Sequence, residues 1–402
     1  SCSSLSLSLS SLVMADNNTR PGNYDESKVP HYTLQDPLES VSSPQDWPKR
    51  RSEIYQQFEE EMFGKAPTFD KTKLEVRKDR NDVEFMGGQG VLCQPLLLVA
   101  GCEIQLCMIL PKSDKPVPVF VGYNFHGNHS IHPEKSIALA KGWVFRVENN
   151  TASDDQRGFK SSRWPLEEII QRGYGVVTMY AGDVDPDFHD EWKNGVHGAY
   201  PTPGPGEWGT IAAWSWGLSR VMDYLESNEQ VDEKRVAAIG HSRLGKTSLW
   251  AGASDKRFSM VISNNSGCGG AALSKRCFGE TVERVNTRFP HWFNGNFQKY
   301  SDNEEKLPFD QHMLLSLIAP RPLYVASAEE DLWADPHGEF LSVLAADPVY
   351  RLLGTEEFPV KKIPQVDEPV VASRRGYHIR TGKHDITAYD WKQYLDFAQK
   401  YL

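Results

Sequence analysis

The sequence predicts a three-layer α/β sandwich, with a mostly parallel central sheet between two layers of helices and an antiparallel edge on its N-terminal side. Three observations point there. Short apolar runs recur at Val117–Gly122, Val176–Tyr180, Val236–Gly240, Met260–Ser263 and Leu323–Ala328, unbroken by polar alternation, as strands buried on both faces of a parallel sheet are. Helical patterns such as Trp208–Glu226 separate them, which is the βα alternation of this architecture. Upstream, Glu103–Leu110 alternates as E-I-Q-L-C-M-I-L, the pattern of antiparallel strands.

Taken in chain order, residues 1–44 are rich in Ser, Asn, Asp and Pro without an apolar period. They read as an extended lead-in from which no catalytic residue is expected. Ser1–Ala15 is Ser/Leu-rich and resembles the tail of a secretory leader without its basic start. In Trp47–Phe63, Ile54, Phe58 and Phe63 are spaced among charges as in an amphipathic helix, so the single catalytic domain is drawn as residues 45–402. Strands are expected at Lys73–Arg77, Val91–Val99 and Glu103–Leu110, ahead of the parallel runs. Phe145–Trp164 and Asp183–Glu207 are aromatic, Gly/Pro-rich insertions suited to the walls of a cleft.

Composition narrows the function. A formal net charge of -10 without a long basic stripe argues against nucleic acid and anionic membranes as partners, and no run approaches the roughly 18 apolar residues of a membrane span. The six cysteines, Cys2, Cys93, Cys102, Cys107, Cys268 and Cys277, form no CxxC pair and have no histidine at zinc spacing. Plain burial is expected for most of them, with one disulfide as the alternative.

The chemistry concentrates in Val236-Ala-Ala-Ile-Gly-His-Ser-Arg-Leu-Gly-Lys246, an apolar strand running straight into Gly240-His-Ser-Arg-Leu-Gly245 and then a helical Lys246–Ala253. This is the nucleophile elbow of an α/β-hydrolase: glycines flanking Ser242 allow a tight strand-to-helix turn that exposes its Oγ. The turn also aims the N–H of Arg243 at a developing oxyanion. A serine hydroxyl needs a base, and the histidine expected after the last strand is His384 in Thr381-Gly-Lys-His-Asp-Ile-Thr387. His378 is the nearby rival. The acid that fixes the imidazole tautomer falls in the carboxylate cluster ending Leu323–Asp335; Asp331 is preferred, with Glu329 and Glu330 open.

Two clusters invite metal readings that their spacing does not support. His126, His129 and His132 follow a strand where this fold builds its second oxyanion wall. Asp183, Asp185 and Asp187 imitate an EF-hand start, but Phe188 stands where glycine is needed and Asn194 where the bidentate glutamate belongs. No metal or other cofactor is expected.

Four ordered motifs, Gly240–Lys246, SNNSGCGGAAL at Ser263–Leu273, DLWADPHGEF at Asp331–Phe340 and GKHDITAYDW at Gly382–Trp391, resemble the glucuronoyl esterases of carbohydrate esterase family 15, bacterial branch. The match runs from about Asp36 to the C-terminus. The resemblance implies a secreted or periplasmic monomeric serine esterase, without metal, that cleaves the ester between (4-O-methyl-)glucuronate of glucuronoxylan and lignin alcohols. It implies Ser242 as nucleophile, His384 as base and Arg243 at the oxyanion. It also implies that Lys246, Glu280 and Trp333 bind the uronate, with Trp164 lining the same cleft. Many members carry their acid where Asn265 stands here, and an amide cannot offset an imidazolium charge; that departure favours Asp331. The rival readings are an acetyl xylan esterase or general carboxylesterase on this fold, and a carbohydrate-binding protein on a hydrolase scaffold.

Overall fold

A computed structural model describes residues 20–79 and 81–402. The leader-like Ser1–Ala15 and Cys2 lie outside the described residues.

Thirteen strands are described: β1 Glu75–Arg77, β2 Val83–Phe85, β3 Gly90–Cys93, β4 Leu96–Val99, β5 Cys102–Gln105, β6 Cys107–Pro111, β7 Val117–Asn124, β8 Gly175–Tyr180, β9 Val231–His241, β10 Met260–Asn264, β11 Leu323–Ala328, β12 Val370–Ala372 and β13 Arg375–Arg380. Ten form the central sheet in the order β12-β13-β11-β10-β9-β7-β8-β6-β3-β2. From β8 through β7, β9, β10 and β11 to β13 every pairing is parallel. The β6-β3-β2 edge is antiparallel.

The alternation of buried side chains assigns the layers. Val119 and Val121 face one side with Ala238, against the helices Thr210–Leu225 and Arg243–Ser254. Phe120 and Ile239 face the other, against Leu166–Gln171 and Ala388–Tyr401. This is the period-2 signature of a strand buried twice. The expected first helix forms as Trp47–Phe58 and ends in a π turn, Glu59–Phe63. Its Ile54, Phe58 and Phe63 are fully buried, each contributing roughly 1.5–3 kcal/mol by leaving water.

Two expected strands are each two. Val91–Val99 divides into β3 and β4, and Glu103–Leu110 into β5 and β6, with β4 and β5 leaving to join β1 in a separate antiparallel sheet. The division falls at Pro95, which cannot donate to a ladder. There the Gln105 side-chain amide donates to the carbonyls of Gln94, Pro95 and Leu106 and pins the crossover.

The chain preceding the domain is not idle. Asn23 bridges to Gly279, Glu26 accepts both terminal nitrogens of the buried Arg276, and the Gln35 carbonyl accepts from His312 Nε2 at 2.8 Å. Asn23, Glu26 and Gln35 therefore hold the lead-in against the domain.

Candidate active site

At the carboxyl end of β9 the chain turns sharply into the helix Arg243–Ser254, and Ser242 occupies the turn at φ 60, ψ -127. That conformation is sparsely populated for a residue with a side chain and is strained by about 1–3 kcal/mol. Gly240 makes the turn possible, because a Cβ there would lie 1.8 Å from the Leu244 carbonyl oxygen.

Ser242 Oγ lies 2.9 Å from His384 Nε2, and His384 Nδ1 lies 2.6 Å from Asp331 Oδ2. An ionised carboxylate only accepts, so Nδ1 carries the proton and Nε2 is left to accept from the serine. Asp331 is 1% exposed, whereas Glu329 and Glu330 are exposed and their backbone N–H groups tie β11 to the histidine loop through the carbonyls of Arg380 and Gly382. Of the three carboxylates, Asp331 alone is hydrogen-bonded to the imidazole. His378 is fully buried, its two ring nitrogens taken by Tyr324 and Asp390.

The His384 loop is fixed from behind. Arg380 Nη2 donates to the carbonyls of Lys383 and Asp385, Asn265 Nδ2 donates to the Asp385 carbonyl, and Arg163 Nε donates to Asp385 Oδ1 at 2.8 Å. Asn265 thus supports the loop through its amide. The His241 ring packs 4.6 Å from that of His384, and burial, then the charges of His384 and Arg163, hold it well below the usual histidine range.

These groups open into a cavity of about 380 Å³ lined also by Arg243, Lys246, Glu280 and Trp333. Arg243 begins its helix, so its N–H has no carbonyl one turn back. Its guanidinium lies 4.8–5.3 Å from the ring centres of Trp292, Phe289 and Phe145 and donates to Asp187 Oδ2 at 2.8 Å. Burial pushes the Asp187 carboxyl up, but Arg243 and the donors His291 and Trp292 outweigh it and hold the group well below the usual carboxylate range. Arg243 Nε is buried without a hydrogen-bond partner. Lys246, 3% exposed, donates to the Ser266 carbonyl at 2.6 Å. Glu280 stands 3.7 Å from Arg288, and its N–H donates to the Trp333 carbonyl.

Comparison with known proteins gives the family. The model described as "Glucuronyl esterase, fungi" matches residues 189–354. A carbohydrate esterase from an unknown prokaryotic organism is 50% identical over 94% of this chain and 92% of its own. Among solved structures, a promiscuous CE15 esterase from the marine bacterial metagenome superposes with a TM-score of 0.89 at 48% identity, covering 95% of this chain and 100% of the other. The chain belongs to carbohydrate esterase family 15. A glucuronoyl esterase from Solibacter usitatus superposes at 0.87 and 44%, covering 93% and 99%. The 4-O-methyl-glucuronoyl methylesterase 1 of Phanerochaete chrysosporium is 35% identical over 37% of this chain and 33% of its own.

In this family 15 esterase one expected cleft residue is elsewhere. Trp164 packs 6.0 Å from Trp391 on the far layer and does not line the cavity, because the preceding Arg163 points in and carries Trp164 away. The cavity instead holds residues that sequence reasoning passed over: Arg20 from the lead-in, Phe125, Arg146, Arg163, Arg288 and Lys383. The basic and aromatic run Arg288-Phe-Pro-His-Trp292 was the available signal for one of these.

The expected walls divide their work. Phe145–Trp164 lines the cavity through Phe145, Arg146 and Arg163, while Asp183–Glu207 acts through Asp187 behind Arg243. The three histidines separate: His126 Nδ1 donates to the Phe145 carbonyl and burial brings it down to about 3, His129 donates to Gln156, and His132 packs on Phe85. Asp183 accepts from the Gln105 N–H and Asp185 pairs with His197. Among the described residues no group of three or more metal-ligating side chains converges, no helix is long and apolar enough to cross a membrane, and Cys93, Cys102, Cys107, Cys268 and Cys277 are free thiols.

Proposed function

We propose that this carboxylic ester hydrolase cleaves the ester between (4-O-methyl-)glucuronate of glucuronoxylan and lignin alcohols by two-step acyl transfer. The observation that carries the reading is the Ser242–His384–Asp331 hydrogen-bonded chain opening onto a wall with Lys246, Glu280 and Trp333. A sugar ring needs polar groups for its hydroxyls and an aromatic face for its carbons, and that wall supplies both.

Ser242 Oγ attacks the uronate carbonyl as its proton moves to His384 Nε2, and Asp331 stabilises the imidazolium. The oxyanion forms beside the Arg243 N–H, and its guanidinium adds positive charge nearby. His384 then gives the proton to the departing alcohol oxygen. Water, deprotonated by the same nitrogen, attacks the acyl-enzyme and frees glucuronate and Ser242. Because the acyl half carries the sugar, specificity follows the uronate more than the alcohol.

The test compares benzyl glucuronate with p-nitrophenyl acetate. Higher kcat/KM on the uronate ester supports the reading, and turnover of acetate alone would replace it with a general carboxylesterase. The similar marine structure is described as promiscuous, which favours a second reading in which both esters are turned over at comparable rates. We further propose that the protein acts outside the cytoplasm, a reading supported by the leader-like Ser1–Ala15 and tested by cell fractionation.

A further inference from the structure

Trp333 and Glu280 do not stand on strands. Trp333 belongs to the one-turn helix Leu332–Ala334, and Glu280 lies between the one-turn helix Ser274–Arg276 and the helix Val282–Arg288. The Glu280 N–H donates to the Trp333 carbonyl at 2.9 Å, so the two residues move as one. The lead-in holds this pair by two routes that use different residues.

The first route is backbone against backbone. Gly279 donates its N–H to the Asn23 carbonyl at 2.8 Å. A Cβ on Gly22 would lie 2.9 Å from the Gly279 carbonyl oxygen and 3.3 Å from the Trp333 ring, and one on Gly279 would lie 2.6 Å from the Leu332 and Trp333 carbonyl oxygens. The Arg20 guanidinium adds a contact 5.8 Å from the Trp333 ring centre. The second route is ionic. Glu26 accepts from Nη1 and Nη2 of the buried Arg276 at 2.8 and 2.7 Å, and His337 Nδ1 lies 3.2 Å from the same carboxylate. Arg276 Nε in turn donates at 2.8 Å to Asp335 Oδ2, just beyond Trp333. Asp335 adopts φ 56, a left-handed conformation strained by about 1–3 kcal/mol that the surrounding contacts must hold. The hydrogen bond from Arg276 also keeps the Glu26 carboxyl below the usual carboxylate range.

Asp331 is anchored separately. Its N–H donates to the Ala328 carbonyl at the end of β11 at 3.0 Å, and its side chain meets His384. Both routes from the lead-in therefore end on Trp333 and Glu280, and neither passes through Ser242 or His384.

We propose that the lead-in determines specificity, with Glu26 and the Arg20–Asn23 segment as positioning residues that set affinity for the uronate through Trp333 and Glu280 and leave the triad unchanged. This rests on the uronate-ester reading above. A binding group is effective only when the residues behind it hold it within about 0.5 Å, and here those residues come from a stretch outside the sheet.

The test uses the full chain with Glu26→Gln and Gly22→Ala, two exposed positions that each alter one route. Each variant should raise KM for benzyl glucuronate about fivefold, as an exposed charge-assisted contact allows, with kcat unchanged. On p-nitrophenyl acetate, which has no uronate to place, kcat/KM should stay within about twofold of wild type. An equal loss on both esters, or a fall in kcat, would mean that the lead-in supports the whole active site and would overturn the proposal. An unchanged KM in either variant would also overturn it. Failure of the uronate-ester reading shows differently, as wild type that turns over acetate alone, and takes the proposal with it before any variant is compared.

Discussion

Asp331 holds His384 through Oδ2 alone, while its Oδ1 is buried without a hydrogen-bond partner. Such a carboxylate spends its charge on one contact. Asp331→Asn should lower kcat on benzyl glucuronate by at least roughly 10²-fold, because the amide cannot stabilise the imidazolium; near-normal turnover would exclude Asp331 as the acid. Close by, Glu339 is fully buried and accepts from Ser327 Oγ and the Gly267 N–H. Burial, and then the charge of Asp331, push its carboxyl well above the usual carboxylate range, so Glu339→Gln, which keeps an acceptor of the same shape and removes the titrating group, should change kcat less than about threefold. Asp187 acts differently, by anchoring Arg243. Asp187→Asn should weaken that charge-assisted bond and lower kcat/KM about tenfold, measured on the same substrate. Ser242 and His384 were legible in the sequence because an elbow is a local pattern. The acid was legible only as a cluster, since exposure of Glu329 and Glu330 and burial of Asp331 depend on how β11 meets the histidine loop.

The short helix Gln311–Ser316 joins the lead-in to the domain, and His312 is the joint. Its Nε2–H donates to the Gln35 carbonyl while Nδ1 is buried without a partner, so a second proton would have no acceptor. Burial accordingly brings His312 down to about 4 from 6.5. With the folded value depressed, the unfolded chain binds more protons below about pH 6.5, and this stabilisation, complete above that pH, is lost as pH falls toward 4. His312→Gln keeps a donor and removes the titration. The stability gap between wild type and variant should shrink by about 2 kcal/mol from pH 7.5 to pH 5, as read by denaturant unfolding. The same dependence on distant partners explains what sequence reading missed among the elements. Arg375–Arg380, Arg-Gly-Tyr-His-Ile-Arg, carries no apolar run, yet it is the buried strand β13 because Asp347 and Asp390 neutralise Arg375 and Arg380. β3 and β4 read as one strand because their apolar residues continue across Pro95, and only tertiary pairing sends them to different sheets.

Across the molecule, β9, β11 and β13 end side by side in one parallel sheet, with β10 between β9 and β11, and each delivers one of Ser242, Asp331 and His384 at its carboxyl end. That layering was legible, because doubly buried strands are apolar runs wherever they occur. The closing of the cavity by the lead-in was not, since Arg20, Asn23 and Glu26 sit in a polar, aperiodic stretch whose partners, Trp333, Gly279 and Arg276, lie more than 200 residues away. A chain beginning at residue 29 should therefore keep the triad but lose kcat/KM about tenfold, mainly through KM, because uniform binding is what a distant wall supplies. The central claim, that Ser242 is the acylated nucleophile of a uronate esterase, is tested most directly by comparing benzyl alcohol release from benzyl glucuronate by wild type and Ser242→Ala. Turnover by the wild type and a loss on the order of 10⁶-fold in the variant is the predicted result; substantial release by Ser242→Ala would contradict it.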